Sequence, residues 1–174
     1  MAPGWRPRRA ARPAGARAMA ESISPRLAAI VAALPLRPGM RVLEIGCGPG
    51  VAARAVVRRM GQGHVLAIDR SAKAIAQAMA GSAAELASGR LALRHVAIED
   101  LRLGVDEPAY DLAFAVRVGV LDGRHPAAGR IALERLRAAL TPEGRLFIDG
   151  GDPLLEIALA TGRPLAPSAR GGPA

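Results

Sequence analysis

One run constrains the fold more than any other. Val42-Leu43-Glu44-Ile45 passes straight into Gly46-Cys47-Gly48-Pro49-Gly50, and a second apolar run, Leu66-Ala67-Ile68, ends in Asp69, nineteen residues beyond Gly50. Glycines let a backbone turn sharply from strand to helix and approach a ligand closely. A carboxylate closing the second strand is placed to accept hydrogen bonds from ribose hydroxyls. The two features together read as a binding site for a nucleoside cofactor.

The rest of the chain repeats the same alternation. Ser24 and Pro25 start a helix with Leu27, Ile30, Val31 and Leu34 on one face, ended by Pro35 and Pro38-Gly39. Strands are expected at 41–45, 64–68, 91–98, 110–116 and 145–149, with helices at about 51–60, 71–80, 82–87 and 127–140 between them. In the second helix Val51, Ala52, Ala55 and Val56 are expected on the sheet, with Arg54, Arg58 and Arg59 outward. Thr141-Pro142-Glu143-Gly144 reads as the turn into the fifth strand. Continuous apolar strands separated by helices argue for an α/β fold with a mostly parallel sheet of at least five strands, covered on both faces. Ligands in such sheets sit beyond the carboxyl ends of the strands. That places Gly46, Asp69, Ile98 and Arg117 along one crevice.

Composition sets the remaining bounds. At 174 residues the chain suits one domain, and with aromatics at 2% its core is built from Leu, Val, Ile and Ala. Five of the 24 basic side chains and none of the 15 acidic ones fall in residues 1–20. That segment is expected to be a disordered basic leader, or a mis-called start with Met19 as the true one. Residues 21–152 are expected to form the domain, and 153–174 a short, partly disordered tail. A single cysteine, Cys47, excludes an internal disulfide and any cysteine-based metal cluster, and no metal site is expected. No apolar run approaches the roughly 20 residues that span a bilayer. A soluble, cytoplasmic protein with no membrane partner is therefore expected.

Two cofactor classes compete for the glycine turn. A dinucleotide fingerprint needs Gly or Ala at the sixth position from Gly46, where Val51 stands. The pattern present is Glu44-x-Gly46-x-Gly48-x-Gly50. It resembles the first motif of the class I S-adenosylmethionine-dependent methyltransferases, and the likeness continues in order. Asp69 matches their ribose-binding acid, Val96 to Leu101 falls at the adenine-contacting segment, Tyr110-Asp111-Leu112 opens the fourth-strand motif, and Leu140 to Asp149 resembles the fifth-strand motif. The resemblance covers about residues 25–150 and implies a Rossmann-like three-layer sandwich whose cofactor is S-adenosyl-L-methionine. It implies a cofactor site of Glu44, Gly46, Cys47, Gly48, Pro49, Gly50, Asp69, Arg70, Ala97, Ile98, Val116 and Arg117. Glu44 would organise the glycine loop against the methionine part, and Arg70 would flank the adenine. Ala97 departs from the family, whose members often carry an acid there; backbone groups around Ile98 would then read the adenine edge, or Glu99 or Asp100 would substitute, unless those two are solvated loop charges. For Asp69, a helix-capping role ahead of Ser71 is the alternative.

The acceptor is less legible. The segment from Phe114 to Pro126 lacks the Asn/Asp-Pro-Pro-aromatic signature of amino methylation, a Pro-Cys nucleophile and a radical cysteine cluster. Direct methyl displacement remains, in which positioning does most of the work. His125 and Asp122 are the candidate bases, with His95 structural, although before Pro126 a capping or loop-fixing role is the favoured reading of His125. Arg117 is set to meet an acidic acceptor or the cofactor carboxylate, or else to pair with Asp111 or Asp122. A small-molecule acceptor is expected, with RNA methylation or a non-catalytic cofactor-binding remnant as alternatives. The C-terminal antiparallel hairpin that the family carries is expected to be reduced or absent, which motivates a homodimer through the edge beside the fifth strand.

Overall fold

The computed structural model describes residues 23–159, so the expectations for residues 1–20 and for the end of the tail lie outside the described residues. Its elements are α1 (Pro25–Ala33), β1 (Arg41–Ile45), α2 (Val51–Met60), β2 (His64–Asp69), α3 (Ala72–Gly81), α4 (Ala83–Ala87), β3 (Leu91–His95), β4 (Tyr110–Ala115), α5 (Pro126–Ala139), β5 (Leu140–Asp149) and β6 (Leu154–Ile157). A 3-10 turn at Ile98–Asp100 follows β3. The strands form one sheet in the order β3-β2-β1-β4-β5-β6, with the first five parallel. The order reverses between β1 and β4, where ligand crevices of such sheets open.

The central strands are buried on both faces, which explains their unbroken apolar runs. Alternation along each strand divides the core in two. Val42, Val65, Ala67, Leu112, Phe114 and Phe147 face α1, α2 and α3, whereas Leu43, Ile45, Leu66, Ile68, Leu146 and Ile148 face α5 and the 3-10 turn. Glu44 has the parity of Val42. Its carboxyl therefore enters the α2 side, in register between Ala67 and Phe114.

Three expectations are corrected. The turn at 141–144 is an irregularity inside β5, whose pairing with β4 jumps from Tyr110–Leu140 to Leu112–Arg145. The antiparallel hairpin is present: β6 pairs with β5 from Leu146–Ile157 to Asp149–Leu154. Four residues suffice, because the turn at Gly150–Pro153 reverses the chain directly onto β5, and the open edge that motivated a homodimer is thereby occupied. Arg54 is buried, 6% exposed, because it turns inward to the glycine loop and α3. Arg59 also bends back, donating to the α1 carbonyls of Val31 and Leu34 and so satisfying a helix end that has no glycine.

Candidate active site

The glycine loop is held from three sides. The amides of Gly46 and Cys47 both donate to the Ile68 carbonyl, at 2.8 and 3.0 Å, and that of Gly50 donates to the Cys47 carbonyl at 2.9 Å. Gly46 has φ +70°, and a Cβ there would lie 2.6 Å from Cγ2 of Val118. Gly50 is the left-handed N-cap of α2, with Ala78 of α3 only 3.1 Å from where its Cβ would stand. Arg54 closes the third side: one Nη donates to the Pro49 carbonyl at 2.9 Å and to Ser82 Oγ at 3.1 Å, joining the loop to the end of α3.

Asp69 ties this loop to β2. Its Oδ2 accepts the Gly48 amide at 2.9 Å and its Oδ1 accepts the Ser71 amide at 2.8 Å. The cap of α3 is Ser71, whose Oγ accepts the Ala74 amide, so Asp69 shapes the turn before the helix rather than capping it. His95, paired with Asp69 across the sheet, reaches the Arg70 carbonyl from Nε2 at 3.1 Å.

At the end of β4 the chain passes through Arg117, whose φ is +59° although it is not glycine. Asp149, the last residue of β5, holds it there: Oδ1 accepts the Arg117 amide at 2.8 Å, while Oδ2 takes Arg26 of α1 at 3.0 Å. Arg117 thus pairs with neither Asp111 nor Asp122. Asp111 accepts the Arg41 amide at 2.8 Å, and Asp122 is taken by the Arg124 guanidinium at 2.7 Å.

These anchors shape a crevice in two lobes over the carboxyl ends of the strands. The larger, about 530 Å³, lies between Asp69-Arg70, Ala97-Ile98-Glu99 and the segment from Val118 to Val120, with His125 at its wall. The smaller, about 310 Å³, lies between α1, Glu44 and the loop Gly46-Cys47-Gly48-Pro49, with Val116 beside it. Gly46 and Arg117 border both. Gly50 stands behind the loop, lining neither lobe. Asp122 lines neither lobe as well; it borders a separate hollow of about 240 Å³ beside Arg124 and Asp149. His125 is the N-cap residue of α5, and its ring makes no side-chain cap hydrogen bond.

Charge in the crevice is uneven. Glu44 is 4% exposed, its Oε2 has no hydrogen-bond partner, and burial pushes its carboxyl up to about 8. Burial, with the neighbouring Glu44 and Asp69, also raises the Cys47 thiol, so it is not a thiolate nucleophile near neutrality. Sequence reasoning missed Arg54, Asp149 and the α1 wall. Asp149 carried a usable signal, since it ends a strand at the same edge as Gly46 and Asp69. Arg54 carried none, because its partners lie on another helix.

A family model described as methyltransferase domain matches residues 42–144, more than half of the chain. The chain belongs to the class I S-adenosylmethionine-dependent methyltransferase family. Among similar proteins, the protein-L-isoaspartate O-methyltransferase of Methylorubrum extorquens is 39% identical over 127 residues, covering 73% of this chain and 49% of that one. This chain spans about half the length of the curated relatives it matches. Among solved structures, a Geobacter sulfurreducens S-adenosylmethionine-dependent methyltransferase in complex with S-adenosyl-L-homocysteine aligns with TM-score 0.55 and 29% identity, covering 72% of this chain and 48% of that one. A Thiobacillus denitrificans methyltransferase with the same ligand aligns with TM-score 0.55 and 25% identity, covering 76% and 51%. S-adenosylmethionine is the cofactor of this methyltransferase domain. The crevice fits it: the Gly46 position leaves no room for a side chain, and Glu44, whose buried Oε2 has no hydrogen-bond partner, is among the residues lining the smaller lobe. Among the described residues no helix is long and apolar enough to cross a membrane.

Proposed function

We propose that this domain transfers a methyl group from S-adenosylmethionine to a small-molecule acceptor. The observation that carries the reading is the pairing of two lobes across Gly46, one bordered by Asp69 and the other by Glu44. Asp69 and Arg70, with the segment Ala97-Ile98, would hold the nucleoside end. Glu44, Val116 and the loop Gly46-Cys47-Gly48-Pro49 would hold the aminoacyl end, with Gly50 setting the loop's exit into α2. When bound, the cofactor supplies an electrophilic methyl group on a sulfonium. The chain's part is to hold the acceptor's lone pair in line with it and to keep water away. His125, at the wall of the larger lobe, would take a proton from the acceptor, and Arg117 at the junction would meet an anionic acceptor group. Asp122, bound to Arg124 and outside both lobes, does not support a role as base.

An RNA acceptor finds little support in the side chains. Single-stranded bases are read by stacking on exposed aromatic rings. Among the described residues Tyr110, Phe114 and Phe147 are all buried in the core. The name of the Methylorubrum relatives favours a second reading, a carboxylate oxygen on an isoaspartyl protein. Titration calorimetry of S-adenosylhomocysteine into wild type and Asp69→Ala tests the cofactor site, and binding is expected to weaken at least about tenfold in the variant. Methyl-labelled cofactor, offered with small carboxylates, amines and phenols or with an isoaspartyl peptide, then separates the two acceptors. Label found only in peptide would reject the small-molecule reading.

A further inference from the structure

The smaller lobe holds a carboxyl whose state the methyl-transfer reading leaves unused. Glu44 is 4% exposed and its Oε2 is without a hydrogen-bond partner, whereas buried carboxylates in proteins are ordinarily paired. Each charge that faces it is engaged elsewhere, has the wrong sign or stands out at the crevice rim. From α2, Arg54 is shared between the Pro49 carbonyl and Ser82 Oγ. From the end of β2, Asp69 adds a second acid, and from the loop Cys47 presents only a thiol. From α1, Arg26 is held by Asp149 at 3.0 Å, and beyond β4 Arg117 is exposed at the crevice rim. Among the described residues no ion pair includes Glu44. A carboxyl removed from water without a cation keeps its proton. Burial outweighs the Ala53 amide and Arg54, which pull the other way, and with a smaller push from Asp69 the Glu44 carboxyl stands at about 8.

Glu44 is among the residues lining the lobe assigned above to the aminoacyl end, so a ligand ammonium delivered there would be its missing partner. We propose that Glu44 is protonated in the free domain and gives up that proton when the ammonium-bearing end of the cofactor enters the smaller lobe, coupling binding to the release of one proton. The O–H bond breaks heterolytically, the proton passes to solvent, and a carboxylate–ammonium pair remains. The inference rests on the cofactor reading above. Its sign follows from linkage. While the free carboxyl is protonated and the bound one ionised, affinity rises about tenfold per pH unit, and it levels near pH 8, where free Glu44 ionises by itself. A free α-amino group loses its own proton at about pH 8, so the informative range lies below that.

The test is calorimetric titration of S-adenosylhomocysteine into the full chain at about pH 6.5, in buffers of contrasting ionisation enthalpy. Wild type is expected to release close to one proton per site, and Glu44→Gln close to none, with an affinity that no longer rises with pH. His95 and His125 are common to both proteins, so the difference isolates Glu44. 5′-Methylthioadenosine, which lacks the aminoacyl end, is expected to bind without Glu44-dependent release. A second measurement needs no variant: infrared difference spectra should show a protonated-carboxyl stretch in the free protein that disappears on adding ligand. Equal proton release in wild type and Glu44→Gln, equal release with 5′-methylthioadenosine, or no loss of that stretch would overturn the proposal while leaving the cofactor site intact. Failure of S-adenosylhomocysteine to bind wild type at any pH would overturn the cofactor reading itself, and this proposal with it.

Discussion

At the scale of single residues, Gly46 illustrates why the first motif has the composition it has. Its φ of +70° and the 2.6 Å approach of Val118 to an added Cβ act together. Gly46→Ala is expected to cost about 1–3 kcal/mol in urea unfolding and to weaken S-adenosylhomocysteine binding. Adding Val118→Ala should return only the steric share, because the left-handed backbone remains unfavourable for alanine. Such positions were legible in the sequence because turn chemistry is local. Asp69 was legible for the same reason, yet its two backbone partners, Gly48 and Ser71, show that one carboxylate serves the loop and the helix start at once. Arg54 was misplaced by periodicity. Helical spacing assigned it to the outer face, and its long side chain reaches the buried groups of α3 and the glycine loop instead.

Between elements, the ion pairs differ in what they hold. Glu107, in the loop before β4, accepts Arg94 of β3 through both oxygens at 2.9 Å, Tyr110 Oη at 2.9 Å and the Gly104 amide at 3.0 Å. Although burial opposes it, these donors hold the Glu107 carboxyl below the usual carboxylate range. Glu156 of β6 meets Arg145 of β5 at 2.6 Å, but both side chains are close to half exposed. Glu107→Ala is therefore expected to cost about 2 kcal/mol, since it leaves half-buried donors unpaired. Glu156→Ala is expected to cost less than about 1 kcal/mol. Urea unfolding of the two variants side by side checks the order. The bulge in β5 and the pairing of β6 were not legible, because a Thr-Pro-Glu-Gly run is turn-like wherever it stands. Only pairing with β4 absorbs it into a strand.

At the scale of the molecule, one buried and one half-buried group make stability depend on pH with opposite sign. Glu44 has its folded value raised to about 8 from an ordinary 4.5, so the folded state holds a proton that the unfolded chain has lost. Its contribution is complete below about pH 4.5 and is lost as pH rises towards 8. His64 is lowered, first by burial and then by Arg41, so its contribution is lost as pH falls below the ordinary histidine range. Comparing the ligand-free protein with Glu44→Gln cancels the histidine. The variant should gain on wild type by on the order of 1.4 kcal/mol per pH unit across the middle of this range and be the more stable near pH 8. Thermal unfolding from acid to mildly alkaline pH measures it, and a constant gap would contradict the burial argument.

The sequence by itself determined the alternation of strands and helices, the parallel sheet, the family and the position of the glycine turn. Strands buried on both faces must be continuously apolar, and a tight turn at a ligand must carry glycine, so both demands are written in neighbouring residues. The tertiary structure alone decided that Asp149 would hold the backbone of Arg117, that Arg54 would lie buried between α3 and the loop, and that β6 would cover the sheet edge. It also decided that Glu44 would line a cavity with its Oε2 left without a hydrogen-bond partner. Each of these joins groups far apart in the chain. Their meeting depends on strand register and crossover geometry, which no local pattern of residues encodes.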